Sequence, residues 1–165
     1  MGRGGVVNIP PRIGGRAVVS IGYGAFQSRI TITSITIPEG VTQIGENAFA
    51  DCNIMESVTL PNSLTRIGNS AFSGCLSLTS IRIPANVTNI GSNAFANCQL
   101  LTSVTIMRTS TGATFSGTQI GNRNVFIQTH ENMQIRVPAN SLNAYRNAAN
   151  WSNLNGVPVS RIVAQ

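Results

Sequence analysis

The side chains best able to do covalent or metal chemistry are Cys52, Cys75 and Cys98, which recur at a fixed interval of 23 residues. A zinc site needs ligands close together, as in C-x-x-C, and the sequence has no such pair. If the interval is a structural step, equivalent residues stack roughly 5 Å apart, inside the disulfide range. Parallel side chains in one packed column aim poorly at each other, however, and three equivalents cannot all pair. The thiols are expected to be buried and structural, acting as small hydrophobes. A Ser-His-Asp set would need the single histidine, His130, to converge with the single aspartate, Asp51. A phosphate-binding loop is excluded because the chain has no lysine. The clustered carboxylates Glu39, Glu46, Asp51 and Glu56 read as solvated surface, and His130 as an exposed loop residue. With no catalytic motif, the chain is expected to be no enzyme and to use no cofactor, metal or small-molecule substrate.

The elements that hold these residues are set by repetition. The segments SITIPEGVTQIGENAFADCNIME, SVTLPNSLTRIGNSAFSGCLSLT and SIRIPANVTNIGSNAFANCQLLT run in succession from Ser34, and SVTI opens a fourth copy. Phe26, Phe49, Phe72 and Phe95 form one series at that step, and Ile21, Ile44, Ile67 and Ile90 another. A step in the twenties marks a solenoid of stacked coils. In I-x-I, strand alternation points both apolar residues inward and the middle one outward. The proline behind it stops the strand, having no N–H for the ladder. Gly45, Gly68 and Gly91 are expected to turn the chain free of Cβ strain. Asn47, Ser70 and Asn93 are expected to cap a short helical turn carrying A-F-x-x-C. One coil alone cannot close a core, but several together can.

Regular repeats cover residues 32–106. Val7-Asn8-Ile9-Pro10 repeats the strand motif, so residues 7–31 make an irregular first coil with a five-residue excess around Pro11 to Arg16. A polar insert, residues 107–119, carries Phe115, after which the pattern resumes at Ile120-Gly121, Val125-Phe126 and Ile135-Arg136-Val137-Pro138. Leu142, Tyr145, Ala148 and Ala149 fall at helical spacing behind Ser141. A helix over 141–150, with Trp151, is expected to cover the open end within a cap spanning 138–155. Residues 1–165 therefore read as one domain, an α/β repeat solenoid of about six right-handed coils with short parallel strands, short helical turns and a C-terminal capping helix.

Charge is sparse: 10% of residues carry it, all 11 cations are arginine, and the net charge is +6. Arg3, Arg12, Arg16 and Arg29 precede every acid, and from Arg66 onward seven arginines face Glu131 alone. In a solenoid this order becomes position along the axis. The excess nominally favours polyanions, but the aromatic and basic interleaving of single-strand binders is missing. The start, MGRGGVVNIPP, lacks the apolar core of a signal peptide, and no run of about 18 apolar residues offers a membrane span. The sequence reads as a module excised from a longer chain.

The motif I-x-I-P-x-x-V-x-x-I-G-x-x-A-F-x-x-C resembles the BspA-like leucine-rich repeats, a 23-residue class also found in treponemal surface proteins. The ending VPANSLNAYRNAANWSN is similar to the segment that closes such arrays. The resemblance spans residues 7–155 and departs from the pattern at the inserts and at Arg29, which occupies the cysteine position. It implies a leucine-rich repeat fold, a cell-surface or extracellular location, and attachment by binding matrix or plasma proteins or neighbouring cells.

A repeat array builds an extended ladder surface, so binding is the expected function. Outward strand positions form two columns: Asn8, Thr36, Thr59, Arg82, Thr105 and Arg136 in one, Ser34, Ser57, Ser80 and Ser103 in the other. A protein ligand is the expected partner, met by the hydroxyls of Thr36, Ser57, Thr59, Ser80, Ser103 and Thr105, with Arg82 as anchor and Arg136 in the same column. Phe115 on the insert is a further candidate contact. The same hydroxyls also read as plain β-compatible solvation. The rival partner is a polyanion, either nucleic acid or a heparin-like glycan, held by Arg66, Arg82, Arg108, Arg123 and Arg136. A third reading is a structural spacer within a larger surface protein.

Overall fold

Two strands per repeat, each paired in parallel with its equivalent one repeat away, are what the 23-residue step builds. The computed structural model describes residues 5–110, 117–152 and 154–165. In chain order the strands are β1 (Gly5–Asn8), β2 (Arg12–Ile13), β3 (Arg16–Ala17), β4 (Ser20–Ile21), β5 (Ile32–Thr36), β6 (Gln43–Ile44) and β7 (Ser57–Thr59). They continue as β8 (Arg66–Ile67), β9 (Ser80–Ile83), β10 (Asn89–Ile90), β11 (Ser103–Ile106), β12 (Gln119–Ile120) and β13 (Gln134–Val137), followed by helix α1 (Leu142–Asn147) and β14 (Ile162–Ala164).

The I-x-I segments make the first face, in the order β1-β5-β7 and then β9-β11-β13-β14. In β9 the alternation is complete: Ile81 and Ile83 are buried while Ser80 and Arg82 are exposed. The V-x-x-I-G segments do more than turn. They form a second parallel sheet, β4-β6-β8-β10-β12, along another side of the coil. Between the faces the core runs unbroken from Ile21 to Ile162. Its spine is the phenylalanine column, in which successive rings from Phe26 to Phe126 stack with centroids 5.1, 5.2, 5.4 and 5.5 Å apart.

Glycine serves stacking here rather than turning. None of Gly45, Gly68 and Gly91 lies at positive φ. A Cβ on Gly68 would sit 2.6 Å from the Gly45 carbonyl carbon, and one on Gly45 would sit 2.8 Å from that of Gly22. The coils approach closely at this column because no side chain separates them. The A-F segments also depart from expectation. Asn47, Ser70 and Asn93 are not N-caps but left-handed residues, with φ of 55, 50 and 57°. Each segment forms a run of tight turns, such as Ala50 N–H to Asn47 O at 3.0 Å, rather than a helix. A second left-handed column holds Asp51, Gly74 and Asn97, residue types that tolerate this region.

The ends are finished differently. The five-residue excess is an antiparallel hairpin, β2 with β3, turned by Gly14 and Gly15 at φ 57 and 77°. At the other end α1 is shorter than the expected helix, and Ser141 does not cap it. Its buried hydroxyl accepts the Ser110 N–H at 2.8 Å instead. Tyr145 Oη donates to the Arg108 carbonyl at 2.9 Å and accepts the Thr118 N–H at 3.0 Å. Trp151 Nε1 donates to the Thr118 carbonyl at 2.7 Å. The indole lies 6.4 Å from Phe126, closing the aromatic column. Beyond the expected cap the chain returns as β14, which pairs with β13 and adds another rung.

The glycine column makes a direct prediction. Gly68→Ala should destabilise the fold by about 3 kcal/mol, at the upper end for an overpacked interior. Gly22→Ala, whose added Cβ meets nothing within 4 Å, should cost under about 1 kcal/mol. Urea unfolding of the two variants measures the difference.

Candidate binding face

The two outward columns of the first face lie in register. Asn8 pairs with Thr36 and Thr36 with Thr59; Arg82 pairs with Thr105 and Thr105 with Arg136. Beside them Ser34 pairs with Ser57, and Ser80 with Ser103. Thr36, Ser57, Thr59, Ser80, Arg82 and Arg136 are exposed, while Ser103 and Thr105 are half-buried. The structure thus brings the sequence-selected residues onto one surface. Phe115 lies outside the described residues.

The arginines of the polyanion reading are divided between surfaces. Arg66 sits on the second face, in register between Gln43 and Asn89. The Arg108 Nη1 donates to the Ala85 carbonyl at 3.2 Å. Arg82 and Arg136 remain in the first-face column, separated by Thr105. The Arg82 guanidinium makes no hydrogen bond or ion pair with any described residue.

The first face is interrupted at one rung. β7 and β9 are neighbours but do not pair, whereas β8 and β10 of the same two repeats do. The amides of Ile9 and Ile37 each donate to the next strand at 3.1 Å, and the Leu60 amide has no such bond. Val58 and Leu60 are consequently half-buried, where Ile35, Ile37, Ile81 and Ile83 are buried. A groove of about 560 Å³ opens here, lined by Val58, Thr59, Leu60, Asn62, Arg82 and Met107 among others. Sequence reasoning chose Thr59 and Arg82 but missed the groove. The one available signal is Leu60, unbranched at Cβ where other repeats carry Ile37, Ile83 and Ile106.

The remaining chemistry-bearing residues have structural employment. Each thiol donates to a phenylalanine carbonyl in the preceding coil: Cys52 to Phe26 at 3.1 Å, Cys75 to Phe49 at 3.3 Å and Cys98 to Phe72 at 3.2 Å. All three are free and buried. Burial raises all three thiol pKa values, that of Cys98 to about 12. His130 is half-buried rather than exposed, and its Nδ1 accepts the Asn132 N–H at 3.0 Å. Asp51 is exposed in its left-handed turn. Glu39 is more than solvated surface. Its carboxylate accepts the N–H groups of Asn62 and Ser63, at 2.9 and 3.2 Å, clamping two coils together. The Asn62 N–H, foremost, holds the Glu39 carboxyl below its ordinary value of 4.5.

A stacked-coil fold with a parallel strand ladder and outward polar columns is that of a leucine-rich repeat protein. Residues 19–154 match the model of the BspA type leucine rich repeat region, in six copies, and the chain belongs to that family. No curated protein matches the sequence. Among solved structures it is similar to a T. pallidum leucine-rich repeat protein, with 25% identity and a TM-score of 0.71, over 90% of this chain and 66% of that one. It is also similar to a leucine-rich cell surface protein from Faecalibacterium prausnitzii, with 25% identity, a TM-score of 0.67 and coverage of 90% and 34%. A Bacteroides capillosus leucine-rich repeat protein matches at 34% identity and a TM-score of 0.57, over 61% of this chain and 75% of that one. The chain therefore spans about two thirds of the first relative's length and one third of the second's. Membership of this repeat family makes it a protein-interaction module, of a class that is generally non-catalytic. No helix among the described residues is long and apolar enough to cross a membrane.

Two titrations test these assignments. The depressed Glu39 pKa means its contribution is present above pH 4.5 and lost as pH falls through the lower folded value. The stability gap between the parent chain and Glu39→Gln should therefore be open at pH 7 and close on acidification, as followed by thermal melts. The raised thiol values act in the opposite sense. Stability should be flat below pH 9, then fall as pH rises toward about 12. Iodoacetamide at pH 8 should leave all three thiols unmodified in the native chain and label them after unfolding, as read by mass spectrometry.

Proposed function

We propose that the chain is an adhesin-type module, displayed at the cell surface, that binds a protein ligand through its first face. The contact residues are Thr36, Ser57, Thr59, Ser80, Arg82, Ser103, Thr105 and Arg136. The observation that carries the reading is the exposed Arg82 guanidinium, without a partner among the described residues, set in a column of hydroxyls. Short polar side chains lose little entropy on contact, and an arginine with five donors supplies the anchor such surfaces use. The cell-surface character of the F. prausnitzii neighbour supports the location. Phe115 on the insert is proposed as an accessory contact.

The test is binding of the purified chain to immobilised matrix and plasma proteins, with heparin and DNA alongside, at about 50 and 200 mM salt. At least one protein should bind at both salts, and Arg82→Ala should weaken it about fivefold or more, as expected for an interface anchor. Binding confined to heparin and DNA, and collapsing between the two salts, would replace this reading with the polyanion one. No binding to anything would leave a structural spacer.

A further inference from the structure

We infer that the groove at the unpaired β7–β9 rung is a seat for an extended peptide segment carrying a carboxylate next to an apolar side chain. This rests on the protein-binding reading above and names the feature of the ligand that is recognised. Three observations converge on it. Leu60 offers an amide without the inter-coil bond that Ile9 and Ile37 make, so a main-chain donor is open to an incoming carbonyl. Val58 and Leu60, withdrawn from full burial, join Met107 as an apolar floor. Arg82 stands at the same opening with its guanidinium unengaged by any described residue, and no carboxylate among the described residues lines the groove.

These groups differ in what they ask of a ligand. An open amide beside a strand is met by backbone, as when an extended peptide adds to a sheet edge. The floor takes an aliphatic side chain, and Arg82 takes a carboxylate in a charge-assisted, bidentate pair. A volume of about 560 Å³ holds a few side chains and lies within the range of roughly 300–1,000 Å³ that ligand sites occupy. Asn62, which also lines the groove, already holds Glu39 through its N–H and Nδ2. That carboxylate is engaged there and leaves Arg82 for the ligand. Arg136, in the same column, gives a longer acidic segment a second cation. The second sheet of the same two repeats stays paired through β8 and β10, so the coils that flank the opening are held together.

The experiment uses the whole chain, isotope-labelled, titrated with a short capped peptide alternating leucine and glutamate. Controls are the same peptide with glutamine for glutamate, and a heparin oligosaccharide. The glutamate peptide should shift the Leu60 amide and bind about tenfold more tightly than the glutamine peptide, as loss of one charged hydrogen-bonded pair implies. Arg82→Gln should abolish that difference while leaving the spectrum of the rest of the chain intact. Failure of the glutamate peptide to bind, or equal binding to Arg82→Gln, would overturn the assignment. So would heparin occupying the same residues more tightly than the peptide. If a matrix protein binds through Arg82 while the peptide does not, the groove assignment falls and the adhesin reading stands. If the peptide binds the groove and no folded protein does, the adhesin reading falls and the groove stands.

Discussion

The distance between one coil and the next governs this molecule. Paired strands stand about 4.8 Å apart, and the phenylalanine rings keep step at 5.1 to 5.5 Å. A single pitch must satisfy backbone hydrogen bonds on two faces and ring contact in the middle. The glycine column is the steric condition for it, since a methyl group at Gly45 or Gly68 would fall within 3 Å of the neighbouring backbone. Once the pitch is set, like residues stack on like. The thiols then meet phenylalanine carbonyls, the left-handed turns align, and the outward residues become columns.

That regularity also explains the outward columns and how a rung can open among them. Two sheets share each coil, so a rung can open on one face while the other holds it in place. Between β7 and β9 the first face opens, while β8 and β10 of the same repeats remain paired on the second. The opening exposes part of Val58 and Leu60 and frees the Leu60 amide, unfavourable in isolation because both apolar surface and a polar group lose their partners. A site of this kind is expected where function rather than stability has shaped the surface. It coincides with the column position at which a threonine ladder gives way to Arg82.

Much of this was legible in the sequence because stacking turns periodicity directly into geometry. The inward residues, the buried thiols, the outward columns and the cap built on Tyr145 and Trp151 all follow from residue type and spacing. What escaped was geometry that several side chains can satisfy alike. The second sheet has strands of two residues, too short to show alternation. Asn47, Ser70 and Asn93 belong to types that suit both N-caps and left-handed turns. Glycine at Gly68 reads as a turn until the neighbouring backbone is seen. Glu39 looks solvated until Asn62 and Ser63 are found one coil away. The open rung leaves only the trace of Leu60, since pairing between coils is a property of two repeats and not of either one.

Amide hydrogen exchange resolved to single residues reads the ladder between coils rung by rung. If one pitch holds the coils and a single first-face rung is open, the amides of Glu56 and Thr102, bonded to Thr33 and Thr79 at 2.8 and 2.9 Å, should be protected. So should Gly68 and Gly91, bonded across the second face at 2.8 Å. Leu60 should exchange at least about a hundredfold faster than these, as an amide without a ladder partner does. Equal protection of Leu60 and its counterpart Ile37 would mean that the rung is closed, and would contradict the account.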